Sequence, residues 1–232
     1  MTSMDRRSFL GVCGALVLGG ACSTTTVGQA TPGTAVVTAV RPTRETVAGR
    51  GPIRSISGVG DSILRASTKA ATTTFNTEGV TDVQIDAETG RRIEVGNGLG
   101  AAPLSGLRTV AAQLKKGAAP DMWLVVLGTN DIGSYSKGEQ YGALIDEMLQ
   151  LLPKATPVVW MNVYRQQYPE LSLVFNEVLQ QRIDARGNAV VADWHSTASA
   201  PKQIVLRDDG IHPNAQGVTV IAQLLGQALQ RL

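Results

Sequence analysis

From Ile53 onward, short apolar runs alternate with longer stretches in which apolar residues recur at helical spacing. Ile53–Val59 reads as a strand, and Ser62–Phe75 as a helix with Asp61 near its cap. Val80–Ala87 alternates Val83, Ile85 and Ala87, the mark of a strand with one covered face. Pro103–Lys115 reads as a helix with Pro103 in its first turn. Asp121–Gly128, "DMWLVVLG", and Pro157–Val163 are nearly unbroken apolar runs, as strands buried on both faces require. Gly138–Leu152 and Pro169–Asp184 read as helices, the second carrying Leu171, Val174, Val178 and Leu179. Ala189–Trp194 supplies a fifth strand, and Asn214–Leu232 sets Val218, Ile221, Leu225 and Leu229 on one helical face. Strands alternating with helices predict an α/β fold: a three-layer α/β/α sandwich around a five-stranded parallel sheet, with right-handed crossovers. In such a sheet, sites lie outside the carboxyl ends of the strands. No internal repeat is present.

The first 52 residues lack this alternation. Asp5-Arg6-Arg7-Ser8-Phe9-Leu10 resembles a twin-arginine export signal, and the apolar run Phe9–Leu18 is too short for a permanent membrane span. Gly19, Gly20 and Ala21 then lead to Cys22, an ending that resembles a lipobox. Leu18 stands four residues before the cysteine rather than three, so plain cleavage at the small residues stays open. The expected division is an export signal at 1–21, a Thr/Gly/Pro-rich tether at 22–52 and a folded domain at 53–232. The protein is thus expected outside the cytoplasm, periplasmic or extracytoplasmic, with a lipid on Cys22 as its route to a membrane. One acyl chain binds a bilayer only marginally, so such an anchor needs more than one.

Composition narrows the chemistry. Of the 232 residues, 43% are hydrophobic and 17% charged, enough to bury the core of one globular domain. Net charge is +2, with no basic stripe interleaved with aromatics, so nucleic acid is not an expected partner. Both cysteines, Cys13 and Cys22, precede the folded part, which leaves it no disulfide and no thiolate metal site. Two histidines without clustered carboxylates predict no catalytic metal, and no cofactor is expected. "GNGLG" at 96–100 lacks the spacing and lysine of a phosphate loop, and no G-x-S-x-G elbow occurs.

What remains is four short segments at points where strands hand over to loops or helices. Ser62 follows the first strand in "GVGDS", Gly90 the second in "DAETGRR" and Asn130 the third in "GTND". Asp209 and His212 lie in "DDGIHPN", before the last helix. On one edge, these residues meet the needs of acyl transfer. A serine hydroxyl is a poor nucleophile without a base. His212 can take its proton and return it to a leaving alcohol, while Asp209, three residues earlier, can accept from Nδ1–H. The tetrahedral oxyanion needs donors: the N–H of Ser62, the N–H of Gly90 and the side-chain amide of Asn130. Competing assignments exist for each. Ser62 could only cap its helix, and Asn130-Asp131 could be a plain turn. Gly96 or Gly98 could replace Gly90, Asp208 could replace Asp209, and His195 could be the base. Arg91, Arg92 and Arg165, also near strand ends, could meet the carboxylate of an anionic glycan or simply be solvated.

These segments resemble the SGNH, or GDSL, hydrolase family. Gly60-Asp61-Ser62-Ile63 resembles its first block, Gly90 its second-block glycine, Gly128-Thr129-Asn130-Asp131 its third block and Asp209-Gly210-Ile211-His212 its D-x-x-H block. "IDAETGRR", "NVYR" and "VADWH" are similar to the extracellular SGNH domain of peptidoglycan O-acetyltransferases and their stand-alone relatives. The resemblance implies a flavodoxin-like sheet and a serine esterase working through a Ser62-His212-Asp209 acyl-enzyme. It implies as partner a small acyl ester or an acylated cell-envelope glycan, with acetyl foremost. The fused transferases carry a multi-spanning membrane domain that this sequence does not contain, which favours the esterase. An O-acetyltransferase and a non-catalytic envelope-binding lipoprotein remain the other two readings.

Overall fold

The computed structural model describes residues 51–100, 102–201 and 204–232. The expected export signal, Cys22 and nearly all of the expected tether lie outside the described residues. The elements are β1 (Ser55–Gly60), α1 (Ser62–Thr77), β2 (Asp82–Ala87), α2 (Gly106–Lys115), β3 (Met122–Val126) and α3 (Gly138–Leu151). They continue as β4 (Val158–Met161), α4 (Pro169–Arg186), β5 (Ala189–Ala192), α5 (Trp194–Ala198) and α6 (Ala215–Gln230).

All five strands are parallel, in the order β2-β1-β3-β4-β5. This is the flavodoxin-like order, whose direction reverses beside β1. Alternation along the strands divides the interior into two cores. Met122, Leu124 and Val126 of β3, with Val159 and Met161 of β4, point to the face covered by α1 and α6. Trp123 and Val125 of β3, with Val158 and Trp160 of β4, point to the face covered by α2, α3 and α4. Both faces are dry, which explains the unbroken apolar run of β3. β2 is an edge strand whose residues alternate between exposed and half-buried, the pattern its sequence carries.

Most expected boundaries shift by a residue or two, and two of the shifts have a clear local cause. The helix expected from Pro103 begins at Gly106, because the Ser105 side chain caps it by accepting from the Arg108 amide. Leu104 instead makes an isolated antiparallel bridge with Asn97. The strand expected to reach Trp194 stops at Ala192, because Asp193 turns the chain into α5 by accepting from the Ser196 amide.

α6 is capped by Asn214, whose side chain accepts from the Gly217 amide and donates to the carbonyls of Ile204 and Leu206. One amide thus both starts the helix and ties down the segment that precedes it. Asn214→Ala removes the cap and orphans two carbonyl bonds, for an expected loss of about 2 kcal/mol. Urea unfolding checks this through a lower midpoint at unchanged slope.

Candidate active site

Parallel pairing sets the groundwork. Gly60 pairs with Ala87 of β2 on one side and with Val126 of β3 on the other. Ser62, Gly90 and Asn130 all follow these three paired residues within a few positions, so the ends of β1, β2 and β3 deliver them to one edge. The Asp61 amide extends the ladder by donating to the Val126 carbonyl at 3.1 Å. The Asp61 side chain then accepts from the Ile63 amide at 2.8 Å and starts α1, with Ser62 as its first residue. Ser62 does stand at a helix start, but Asp61 is the cap.

His212 Nε2 lies 2.9 Å from Ser62 Oγ, and His212 Nδ1 lies 2.8 Å from Asp209 Oδ2. The other oxygen of Asp209 accepts from the backbone amides of Ile211 and His212, each at 2.9 Å. Burial raises the Asp209 carboxyl, but the His212 amide, the His212 ring and the Ile211 amide outweigh it and hold it down at about 2. An ionised carboxylate only accepts, so the imidazole carries its proton on Nδ1. Nε2 is then free to accept the Ser62 hydroxyl proton. Asp208, the rival orienter, is exposed, and its side chain bonds neither His212 nor any other group among the described residues. His195 sits at the start of α5, half-buried and edge-on to Tyr164 with ring centroids 5.4 Å apart, and makes no hydrogen bond to Ser62.

The turn carrying the Asp–His pair is held from outside. The Gln166 amide donates to the Gly210 carbonyl at 2.9 Å, and Gln167 Nε2 donates to the Asp209 carbonyl. Gly210 has φ +65°, and a Cβ there would strike Gln166. Sequence reasoning missed this glutamine pair. The polar "RQQ" that follows β4 at the same edge is the only signal that could have pointed to it.

Asn130 Nδ2 donates to the Arg91 carbonyl at 3.0 Å and lies 3.5 Å from Asp61 Oδ2. Its neighbour Asp131 is fully buried and accepts from Arg92 Nε and from the Ile93 amide, each at 3.1 Å. The Asn130 loop is therefore stitched to the segment that follows Gly90. Gly90 stands in the turn after β2 with φ +77°, which favours glycine, and nothing occupies the space a Cβ would take. The amides of Ser62 and Gly90 donate to no group among the described residues. Gly96 instead packs against the Pro103 carbonyl, in a loop well beyond the end of β2.

Of the three arginines, Arg91 corrects the expectation. Arg91 is buried, only 2% exposed, so it is neither solvated nor available to a glycan carboxylate. Arg92 is paired with Asp131 and lies over the Tyr135 ring. Arg165 donates to the Ile132 carbonyl at 3.0 Å and lies over Tyr168. Among the described residues, no group of three or more His, Cys, Asp or Glu side chains is arranged to hold a metal ion.

Residues 59–220 match the family described as GDSL-like lipase/acylhydrolase. No curated protein matches the chain. Among solved structures, the C-terminal catalytic domain of peptidoglycan O-acetyltransferase A from Streptococcus pneumoniae is similar, with TM-score 0.60 and 17% identity over 78% of this chain and 94% of that one. A carbohydrate acetylesterase family member from Sinorhizobium meliloti aligns with TM-score 0.61 and 15% identity over 75% of this chain and 96% of that one. A member of the lipolytic G-D-S-L family from Veillonella parvula aligns with TM-score 0.59 and 20% identity over 77% and 99% of the two chains. At these identities the likeness is one of fold.

Asp61 is fully buried, and loss of hydration pushes its carboxyl up to about 7 against the opposing pull of the Ile63 amide, the Thr129 hydroxyl and Arg91. A carboxyl raised on folding stabilises the protein fully below its unfolded value near 3.8, and that contribution disappears as pH rises through about 7. Asp61→Asn keeps a capping oxygen and removes the titration. The wild type should lose roughly 3 kcal/mol more than the variant between pH 4 and pH 7. Denaturant melts of both proteins across that range measure the difference.

Proposed function

The chain belongs to the GDSL-like lipase/acylhydrolase family, and from that carboxylic ester hydrolase framework we propose that it removes small O-acyl groups, acetyl foremost, through an acyl-enzyme on Ser62. The observation that carries this reading is the continuous hydrogen-bond chain from Ser62 Oγ through the His212 ring to Asp209, at 2.9 and 2.8 Å. Ser62 Oγ attacks the ester carbonyl carbon while its proton passes to His212 Nε2. The imidazolium is stabilised by Asp209, and the oxyanion by the Ser62 and Gly90 amides and the Asn130 side chain. Collapse breaks the carbon–oxygen bond of the leaving alcohol, which takes the proton from His212. A water then repeats the sequence in reverse, with His212 as base, and releases the carboxylic acid and free Ser62.

An acetylated cell-envelope glycan is the substrate that the "IDAETGRR", "NVYR" and "VADWH" likeness supports. The same likeness favours a second reading, in which a sugar hydroxyl replaces water and the acetyl group is transferred. Export by the twin-arginine route, with a lipid on Cys22, is the accompanying proposal, and it rests on the "DRRSFL" and "LGGAC" segments.

With p-nitrophenyl acetate as donor, Ser62→Ala and His212→Ala should abolish acetate release while His195→Ala retains it. Asn130→Ala should lower kcat by about 10²–10³-fold, the loss of one oxyanion donor. Near-wild-type turnover in Ser62→Ala refutes the acyl-enzyme. Adding a chitooligosaccharide acceptor separates the two fates, since acetyl on the sugar marks transfer and free acetate alone marks hydrolysis. Mass spectrometry of the mature protein with and without Cys22→Ala tests the anchor: a lipid-sized difference is expected, and equal processing without it overturns the proposal.

A further inference from the structure

Arg91 lies one residue beyond the Gly90 turn and directs its guanidinium inward. Nε donates to the Leu104 carbonyl at 3.0 Å. Nη1 donates to the Asp86 carbonyl at 2.6 Å and to the Gly60 carbonyl at 3.2 Å. Nη2 donates to the Asp86 carboxylate at 2.7 Å. The backbone carbonyl of the same residue is the acceptor for Asn130 Nδ2. One residue therefore touches the last residue of β1, the end of β2, the approach to α2 and the side chain of Asn130.

We propose that Arg91 is a positioning residue that fixes the three oxyanion donors relative to one another. The proposal rests on the acyl-enzyme reading and deepens it. Gly60 stands two residues before Ser62, and Asp86 four residues before Gly90, so the guanidinium holds the two backbones that present the Ser62 and Gly90 amides. Its main chain holds the third donor. Oxyanion stabilisation depends on donors that are already in place, since donors that must reorganise lose most of their advantage. A planar fork with fixed donor directions is suited to this, because it accepts only one spacing of its partners. Lysine carries a charge of the same sign but only a point ammonium, and it cannot span these carbonyls. The Asp86 carboxylate is half-exposed, so the ion pair neutralises the buried charge while remaining open to water on one side.

The test uses the full chain and p-nitrophenyl acetate. Arg91→Lys and Arg91→Ala should lower kcat by about 10²-fold or more, on the scale of losing an oxyanion donor. KM should stay within about threefold, since only the transition state gains from the donors. Binding of a small alkylboronic acid, which adds to Ser62 as a tetrahedral mimic, should weaken by a factor similar to the loss in kcat. In the Asn130→Ala background, the Arg91→Lys loss should shrink well below its value in the wild type, because the two residues act together. Guanidinium ion at tens of millimolar should partly restore Arg91→Ala and leave Asn130→Ala unmoved. Wild-type kcat in Arg91→Lys overturns the proposal, and so does a loss confined to KM. If neither arginine variant folds, Asp86→Asn decides: it loosens the fork from an exposed position, and a kcat loss at constant KM is expected. Unchanged kcat in that variant also overturns the proposal. Failure of the underlying reading looks different, because it appears as activity in Ser62→Ala.

Discussion

The parallel register of β1 against both its neighbours is the constraint on which the rest depends. Gly60 is paired with Ala87 and Val126 at the same level, so the chain leaves three adjacent strands together. Each exit then has only a few residues in which to place a functional group. Ser62 comes two residues later, Gly90 three and Asn130 four. A slip of one residue in either ladder would turn the side chains of that strand to the wrong core and carry its exit group away from the others. The two dry cores that lock the register therefore also locate the chemistry, though no apolar residue takes part in it.

Close beneath this edge the fold accepts unusual electrostatics. Asp61 and Asp131 are both fully buried, and burial raises the carboxyl of each. Arg91 and Arg92 come from the adjacent strand exit and bring the opposite charge. Such burial gives little net stability. What it gives is definition, since every one of these groups has named partners at fixed distances.

The residues legible in the sequence are those whose role is local. Asp209 and His212 share one short turn, so their spacing alone carries the contact, and Ser62 and Asn130 stand at strand exits that the apolar runs mark plainly. The two-sided strands were equally readable, because alternating burial on both faces leaves an unbroken apolar run. Less was legible where partners come from far along the chain. Arg91 has the composition of a surface or ligand-binding residue, and only its four acceptors, drawn from Gly60, Asp86 and Leu104, reveal it as interior. Gln166 and Gln167 likewise meet the Asp–His turn across a gap in sequence that no spacing rule covers. The apolar pattern runs on through Trp194 while the strand stops at Ala192, because the Asp193 cap starts α5 there.

Ser62 and His212 are separated by 150 positions, whereas His212 and Asp209 are three apart. In a chain made from its amino end, Ser62 is therefore finished long before the imidazole it bonds exists. Until the segment ahead of α6 has been synthesised and folded back onto the edge, Ser62 is an ordinary helix-start serine. The hydrogen-bonded series Ser62–His212–Asp209 is thus a property of the folded domain as a whole, and a growing chain that has not yet reached α6 does not hold it.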